Sequence, residues 1–525
     1  MTRPLAVSVI TAVCDPPVDA LEECLRSVAT QHVTGGFEHV IVDDASTDPA
    51  VIARLDTAAH DSHVRLERRA GRGGIVAASN DALALAQGDV VVLVDHDDVL
   101  AANALAVMAE QFADETCDLA YSDHDLIRPD GRLADPFYKP DFSPERLRHQ
   151  NYITHLVAIR RSLVVEVGGF RSGFDGAQDH DLLLRVSERA RRVVHVPQVL
   201  LHWRQHARSV SLDPLAKADA YERGRVAVEQ HCARVGIEAD GELGPAPGTY
   251  RVVRPAAAGT TSIVVAAPGG AGSVWGAHGI HLERLLASVT QLSSTQLIVA
   301  VPPGVDPGDL VGRGIDADTV IADDTDALWR DGVRRADGDT VVFLTESMFA
   351  DDRADDPIGG VVGHLADPDV IAAGGLQLRT DDTIAHAGFV TGDHAAVGIL
   401  TGWSARHSGP GRLLEVAREV RAVDVVGAAL RRRDAQTLGD GPDATLTARG
   451  IEWMAGRPAS QRVIWTPQSR WFRLDAPSEQ LPATGGRDPF YNPNLQPGRG
   501  DWLERPGRAG AAPYERDPSG QILWA

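Results

Sequence analysis

Three polar clusters in the 525-residue sequence carry side chains able to do chemistry. In Asp95-His96-Asp97-Asp98, three carboxylates fall within four positions, directly after an apolar run. Such a cluster must be solvated, be paired, or hold a hard divalent cation through oxygen ligands. The bland reading is a solvated turn with Asp capping the next helix, expected over 101–112. In Gly176-Ala177-Gln178-Asp179-His180-Asp181, which leads into the helical run Leu182-Leu183-Leu184-Arg185-Val186, Asp179 is the candidate base. Asp181 is placed to cap that helix and favour its dipole. In His202-Trp203-Arg204-Gln205-His206, imidazole suits a metal and guanidinium a phosphate; a packed Trp beside surface charges explains the same residues without chemistry.

The elements that must position these clusters alternate strand and helix. Residues 6–10 form a β-branched run, 18–30 have helical apolar spacing, and 39–42 read as a buried strand ending in Asp43-Asp44. Residues 80–86 read as helix and 90–94 as a strand buried on both faces, so a parallel sheet covered by helices is expected. Polar residues follow three of these strands: Thr11 to Asp15, Asp43-Asp44, and the Asp95 cluster. Ligands of open α/β sheets bind outside the carboxyl ends of the strands, so these acids are expected to converge on one nucleotide-type crevice. Two further acids at neighbouring strand ends favour the metal reading of Asp95-His96-Asp97-Asp98.

The length allows about two to four domains. The expected division is 1–240, a Pro/Gly/Ala-rich linker at 241–259, a second α/β domain at 260–475, and a Pro/Gly/Arg-rich tail at 476–525 with little core of its own. Gly88-Asp89-Val90-Val91-Val92-Leu93-Val94 is echoed by Gly338-Asp339-Thr340-Val341-Val342-Phe343-Leu344, which indicates a duplicated unit. Its acids are not kept: Thr345-Glu346-Ser347 stands against Asp95-His96-Asp97. A second echo, 192–198 against 462–468, sets Phe472 opposite His202.

With 51 Lys plus Arg against 73 Asp plus Glu, the net charge of −22 argues against a nucleic-acid partner. Four scattered cysteines imply no disulfide framework, and no window reaches the ~20 apolar residues of a membrane span. A cytoplasmic protein is expected.

The ordered set Val7-Ser8-Val9-Ile10-Thr11, Val42-Asp43-Asp44-Ala45-Ser46-Thr47-Asp48, Ala78-Ser79-Asn80, Asp95-His96-Asp97-Asp98, Gly168-Gly169-Phe170 and Gln178-Asp179-His180-Asp181-Leu182 resembles the inverting glycosyltransferases of family 2. The resemblance covers residues 5 to about 235. It implies an α/β GT-A fold, Rossmann-like and mostly parallel, followed by a degenerate GT-A-like α/β domain. It implies that Thr11, Ala12, Asp15 and Asp44 contact the nucleoside, with Asp43, Asn80 and His96 in the same donor-binding motifs. Asp97 is set on Mn²⁺ or Mg²⁺ at the phosphates, Asp95 beside the ribose or metal, and His202 at a further metal or diphosphate contact. Asp179 becomes the general base. Cys14 departs from the family's usual aromatic residue.

The implied donor is a UDP- or dTDP-sugar and the acceptor a glycan or lipid-linked glycan of the cell envelope. A lipid-linked acceptor implies peripheral contact with the inner membrane face, for which Trp502, Trp524, Arg499, Arg505, Arg508 and Arg516 are available; oligomeric state is left open. The later half resembles the second module of larger bacterial polysaccharide and rhamnosyltransferase-like members, through Asp381-Asp382-Thr383-Ile384-Ala385-His386-Ala387-Gly388 and Asp488-Pro489-Phe490-Tyr491-Asn492-Pro493-Asn494-Leu495. Gly439-Asp440-Gly441-Pro442-Asp443 replaces the expected base motif, so this half is expected to be silent. The alternatives are a two-site enzyme and a sugar-nucleotide-binding scaffold without turnover.

Overall fold

A computed structural model describes residues 5–205, 218–255, 259–289, 295–305, 317–439, 445–474 and 481–495, with short strands at 515–516 and 522–523. His206, residues 440–443, Trp502, Trp524, Arg499, Arg505, Arg508 and the side chain of Arg516 lie outside the described residues.

The first half runs β1 (Val7–Val13), α1 (Val18–Ala29), β2 (Phe37–Asp43), α2 (Pro49–Ala58), β3 (Val64–Arg68), α3 (Ile75–Leu85), β4 (Val90–Leu93), β5 (Val99–Leu100), α4 (Ala104–Gln111), β6 (Cys117–Ile127), β7 (Leu133–Phe137), α5 (Pro144–His149), β8 (Val157–Arg160), α6 (Arg161–Glu166), α7 (Gln178–Ser187), β9 (Arg192–Arg204) and α8 (Ala218–Val235). Strand alternation sends apolar side chains to both faces of the sheet. Val7, Val9, Val90 and Val92 pack with Cys24 and Val28 of α1 and Leu105 and Met108 of α4. Ile10 and Val91 pack with Val76 and Ala82 of α3 and Leu182 and Leu183 of α7. The order is β3-β2-β1-β4-β8-β6-β9-β5, with β7 beside β6. Pairing is parallel from β3 to β4, as expected of strands buried on both faces. Beyond β4 the sheet is mixed, because β8 pairs antiparallel with both β4 and β6.

The second half repeats this topology. Its sheet runs Asp318–Ile321, Thr295–Val301, Thr261–Ala266, Thr340–Thr345, Ala428–Arg431, Val370–Leu378, Arg462–Arg473 and Met348–Ala350, strand for strand the same order. A buried polar lock recurs too. Ser8 Oγ donates to Glu38 at 2.6 Å and accepts from Gly88 N at 2.7 Å; Ser262 Oγ donates to Gln296 at 2.7 Å and accepts from Gly338 N at 2.9 Å. A Cβ at Gly88 would lie 2.6 Å from Ser8 N, and one at Gly338 would lie 2.6 Å from Ser262 N. Gly88→Ala and Gly338→Ala are each expected to lower stability by about 1–3 kcal/mol, read as a fall in the denaturant midpoint.

Two expectations change. Part of the expected linker is an antiparallel hairpin, Asp240–Leu243 with Tyr250–Val253, because Tyr250 and Val252 alternate into the core and Tyr250 stacks on His180 at 5.4 Å. Pro245, Pro247 and Gly248 fall between its strands. The expected coreless tail packs along 481–495, where Tyr491 and Leu495 join the second core. Buried polar contacts join the halves and the stretch between them: Arg254 pairs with Glu145 at 2.8 Å, and Glu419 accepts from Glu145 N and Ser143 Oγ. Among the described residues, no helix is long and apolar enough to cross a membrane.

Candidate functional site

A cleft of about 600 Å³ opens at the carboxyl ends of β1 and β4. Its lining includes Thr11, Ala12, Ile75, Asp95, His155, Phe170 and Asp179, so the expected donor and base positions share one space.

At one end, ligand atoms of Asp95, Asp98 and His155 all lie within 4.8 Å of one another. The turn after β4 brings Asp95 and Asp98 together as its first and fourth residues, closed by Asp98 N donating to Asp95 O at 3.3 Å. Asp98 is fully buried. Its Oδ1 accepts from Arg204 N at 3.0 Å, and its Oδ2 has no hydrogen-bond partner among the described residues. Burial, reinforced by the charges of Asp95 and Asp97, pushes the Asp98 carboxyl well above the usual range. A buried carboxylate with an open oxygen, beside a second carboxylate and an imidazole, fits a divalent cation of the Mn²⁺ or Mg²⁺ kind.

The D-x-D acids divide between two environments. Asp98, not Asp97, joins the group, because the turn directs residues i and i+3 to one side. The Asp97 carbonyl instead accepts from Arg204 Nε at 2.8 Å, and Arg204 also pairs with Glu23, so this guanidinium braces the turn. His202 lies opposite Val99, next to Asp98, but stands outside the converging group with its Nδ1 on Asp125.

At the other end Asp179 starts α7, where it accepts from Asn151 Nδ2 at 3.1 Å and from His180 N at 2.8 Å. Asp181, fully buried between Arg171 and Arg185, is structural. His180 points away to the Leu147 carbonyl at 2.8 Å.

The remaining expected contacts hold the loops together. Thr11 Oγ1 lies 3.0 Å from Nε2 of His39, whose burial pulls it down to about 4, so the imidazole is neutral at pH 7. Asp15 accepts from Thr47 N at 2.7 Å and Asp48 N at 2.9 Å, and it pairs with Arg72. Asp43 accepts from Ser46 N, while Asp44 takes Gly73 N and Gly74 N at 2.8 Å each, joining the β2 loop to the start of α3. Asn80 spends both ends of its amide on the Phe170 backbone at 2.8 and 2.9 Å and so fixes a cleft wall. His96 contacts the Ala12 carbonyl at 3.0 Å. Cys14 Sγ lies 3.7 Å from the Asp44 carbonyl.

In the second half the corresponding positions carry other side chains. Glu346 is buried and accepts from the amides of Gly269 and Gly270. By the repeat, Met348 stands for Asp98. Phe349 faces Phe472 where Val99 faces His202, and Leu378 pairs with Phe472 where Asp125 pairs with His202. Trp275 packs edge-on against Phe349 and Phe472 at 5.5 and 5.0 Å.

Sequence reasoning missed His155 and Asn151, which carry no motif signal, and passed over Asp98, whose signal was its place three residues after Asp95. It also missed a third repeat, Asp135-Pro136-Phe137-Tyr138-Lys139-Pro140-Asp141-Phe142 against Asp488-Pro489-Phe490-Tyr491-Asn492-Pro493-Asn494-Leu495.

Fold and site define a class, an α/β domain with carboxylates and a histidine at the strand ends of a nucleotide-type crevice. Residues 8–176 match Glycosyl transferase family 2. Over 95% of its length it is 30% identical to the protein y4gI of Sinorhizobium fredii, covering 58% of that protein. Over 94% it is 30% identical to the O-antigen biosynthesis protein RfbC of Myxococcus xanthus, covering 40% of it. The chain thus spans about half the length of these curated relatives. It also resembles the structure of S. aureus TarS 1-349 in complex with UDP-GlcNAc, at 20% identity and TM-score 0.36 over 43% of this chain and 66% of that one.

Proposed function

We propose that the first half transfers a sugar from a nucleoside-diphosphate donor, with inversion, to a hydroxyl of a glycan or lipid-linked acceptor in cell-envelope polysaccharide synthesis. The observation that carries this reading is the shared cleft, with the Asp95-Asp98-His155 group at one end and Asp179 at the other. The acceptor oxygen attacks the anomeric carbon as its bond to the diphosphate breaks on the opposite face, and Asp179 takes the hydroxyl proton. Asn151 and the His180 amide orient that carboxylate and leave it lining the cleft. Ile75 and Phe170 supply apolar wall beside the sugar and limit access of water. Asp95, Asp98 and His155 would hold a Mn²⁺ or Mg²⁺ ion, which would supply charge neutralisation for the leaving diphosphate. The second half is silent in this reading, because Glu346, Met348 and Phe472 occupy the positions that would otherwise offer ligands.

Calorimetric titration with a panel of nucleoside diphosphates, with and without Mn²⁺, tests the reading. One metal-dependent site per chain is expected, with preference for a uridine or thymidine base. Two equivalent sites would restore the second half as an enzyme, and no binding would leave a scaffold.

A further inference from the structure

The repeated motifs at 135–142 and 488–495 lie against each other at the junction of the two halves. Asp141 N donates to the Pro489 carbonyl at 2.8 Å, Arg487 reaches Asp141 at 2.8 Å, and Asn494 donates to the Pro197 carbonyl at 2.8 Å. At the centre is Asp123 of β6, which is fully buried. It accepts from Lys139 N at 2.9 Å and from Asn492 Nδ2 at 2.9 Å, and it contacts His195 Nε2 at 2.9 Å. Asn492 also donates to the Lys139 carbonyl at 2.9 Å. One residue of the later half thus ties together the strand and the loop that surround Lys139.

Lys139, fully buried, sits directly behind the cleft. Its Nζ donates to the Ile153 carbonyl at 3.0 Å and the His155 carbonyl at 2.8 Å. The stretch 151–155 carries both ends of the site: Asn151 holds Asp179, and His155 belongs to the ligand group. His124 contacts the His155 carbonyl at 3.1 Å, and Trp203 packs beside the His155 ring at 5.8 Å.

We propose that the segment 487–495 is a positioning element of the transfer site, acting through Asn492, Asp123 and Lys139 to fix the 151–155 wall that sets His155 and Asn151. The wording "transfer site" rests on the function proposed above, but the mechanical claim does not. A half that has lost its own ligands is kept because it completes the wall of the other. Asp123 has no counterpart there, since Leu376 occupies its place in the register between the strands Val370–Leu378 and Arg462–Arg473.

The test uses the full chain and Asn492→Ala. Amide exchange over 151–157 in the metal-free protein is expected to rise. Mn²⁺-dependent binding of a nucleoside diphosphate is expected to weaken roughly 10- to 100-fold, the cost of removing a group that orients a metal ligand. The Mn²⁺ concentration needed for half-maximal transfer should rise by more than the rate at saturating Mn²⁺ falls, a split that loss of folded protein would not produce. Unchanged exchange over 151–157 overturns the proposal whatever the protein does with metals. Failure of the transferase reading shows separately, as no nucleotide binding by the unsubstituted chain. If Asn492→Ala does not fold, Asn494→Ala loosens the same segment at its half-buried end, and the same rise in exchange is expected at smaller amplitude; no rise there overturns the proposal equally.

Discussion

Replacing Asp179 by Asn is expected to lower sugar transfer by about 10²- to 10⁴-fold, the range that a positioned general base contributes. The substitution keeps size and shape, and the carboxamide oxygen can still accept from the His180 amide, so the start of α7 is undisturbed. What is lost is the ability to take a proton from the acceptor hydroxyl. Donor binding should be unchanged in a titration with nucleoside diphosphate, since Asp179 stands apart from the converging ligand group. Glu346→Gln provides the contrast. Its carboxylate accepts from the Gly269 and Gly270 amides, outside the Asp95-Asp98-His155 group, so transfer should stay at the unsubstituted rate. Full transfer by the Asp179 variant, or its loss in the Glu346 variant, would reverse the assignment of active and silent halves.

The parts legible in the sequence are those encoded by short-range periodicity. The β-branched runs at β1, β2 and β4 and the polar residues that end them placed the crevice before any coordinates, because strand polarity alone fixes which end collects the acids. The internal echo was legible for the same reason: Gly88 and Gly338 face the same close backbone contact in each copy. The hairpin at 240–253 and the packing of 481–495 were hidden, because each is stabilised by contacts across long sequence separations, Tyr250 on His180 and Asn492 on Asp123. Composition registers only the Pro and Gly of their turns. Within the site, the acids were visible but their orientation was not. Which of Asp97 and Asp98 turns inward depends on β5 pairing with β9, and His155 reaches the cleft from a stretch with no motif of its own.

That orientation makes the second large effect a comparison between neighbours. Asp98→Asn is expected to weaken Mn²⁺-dependent donor binding by more than about 100-fold, beyond the 10- to 100-fold cost of removing a merely supporting group. Asp97→Asn should cost less, because the contact drawn from that residue to Arg204 is made by its main-chain carbonyl, which Asn retains. The two variants also differ in the metal-free state. Asp98 is fully buried, with one oxygen facing no donor among the described residues and the other accepting from the main-chain N–H of Arg204. Burial raises the Asp98 carboxyl and so favours its neutral form without metal, and Asn is a neutral group of the same shape whose oxygen can still accept from Arg204 N, so the metal-free Asp98→Asn protein should melt no lower than the unsubstituted one. Added Mn²⁺ should raise the melting temperature of the unsubstituted protein and leave that of Asp98→Asn unchanged, because an ion that binds only the native state stabilises it by mass action. Strong binding by Asp98→Asn together with its loss in Asp97→Asn would return the ligand role to Asp97 and show that the turn after β4 rearranges when the ion enters.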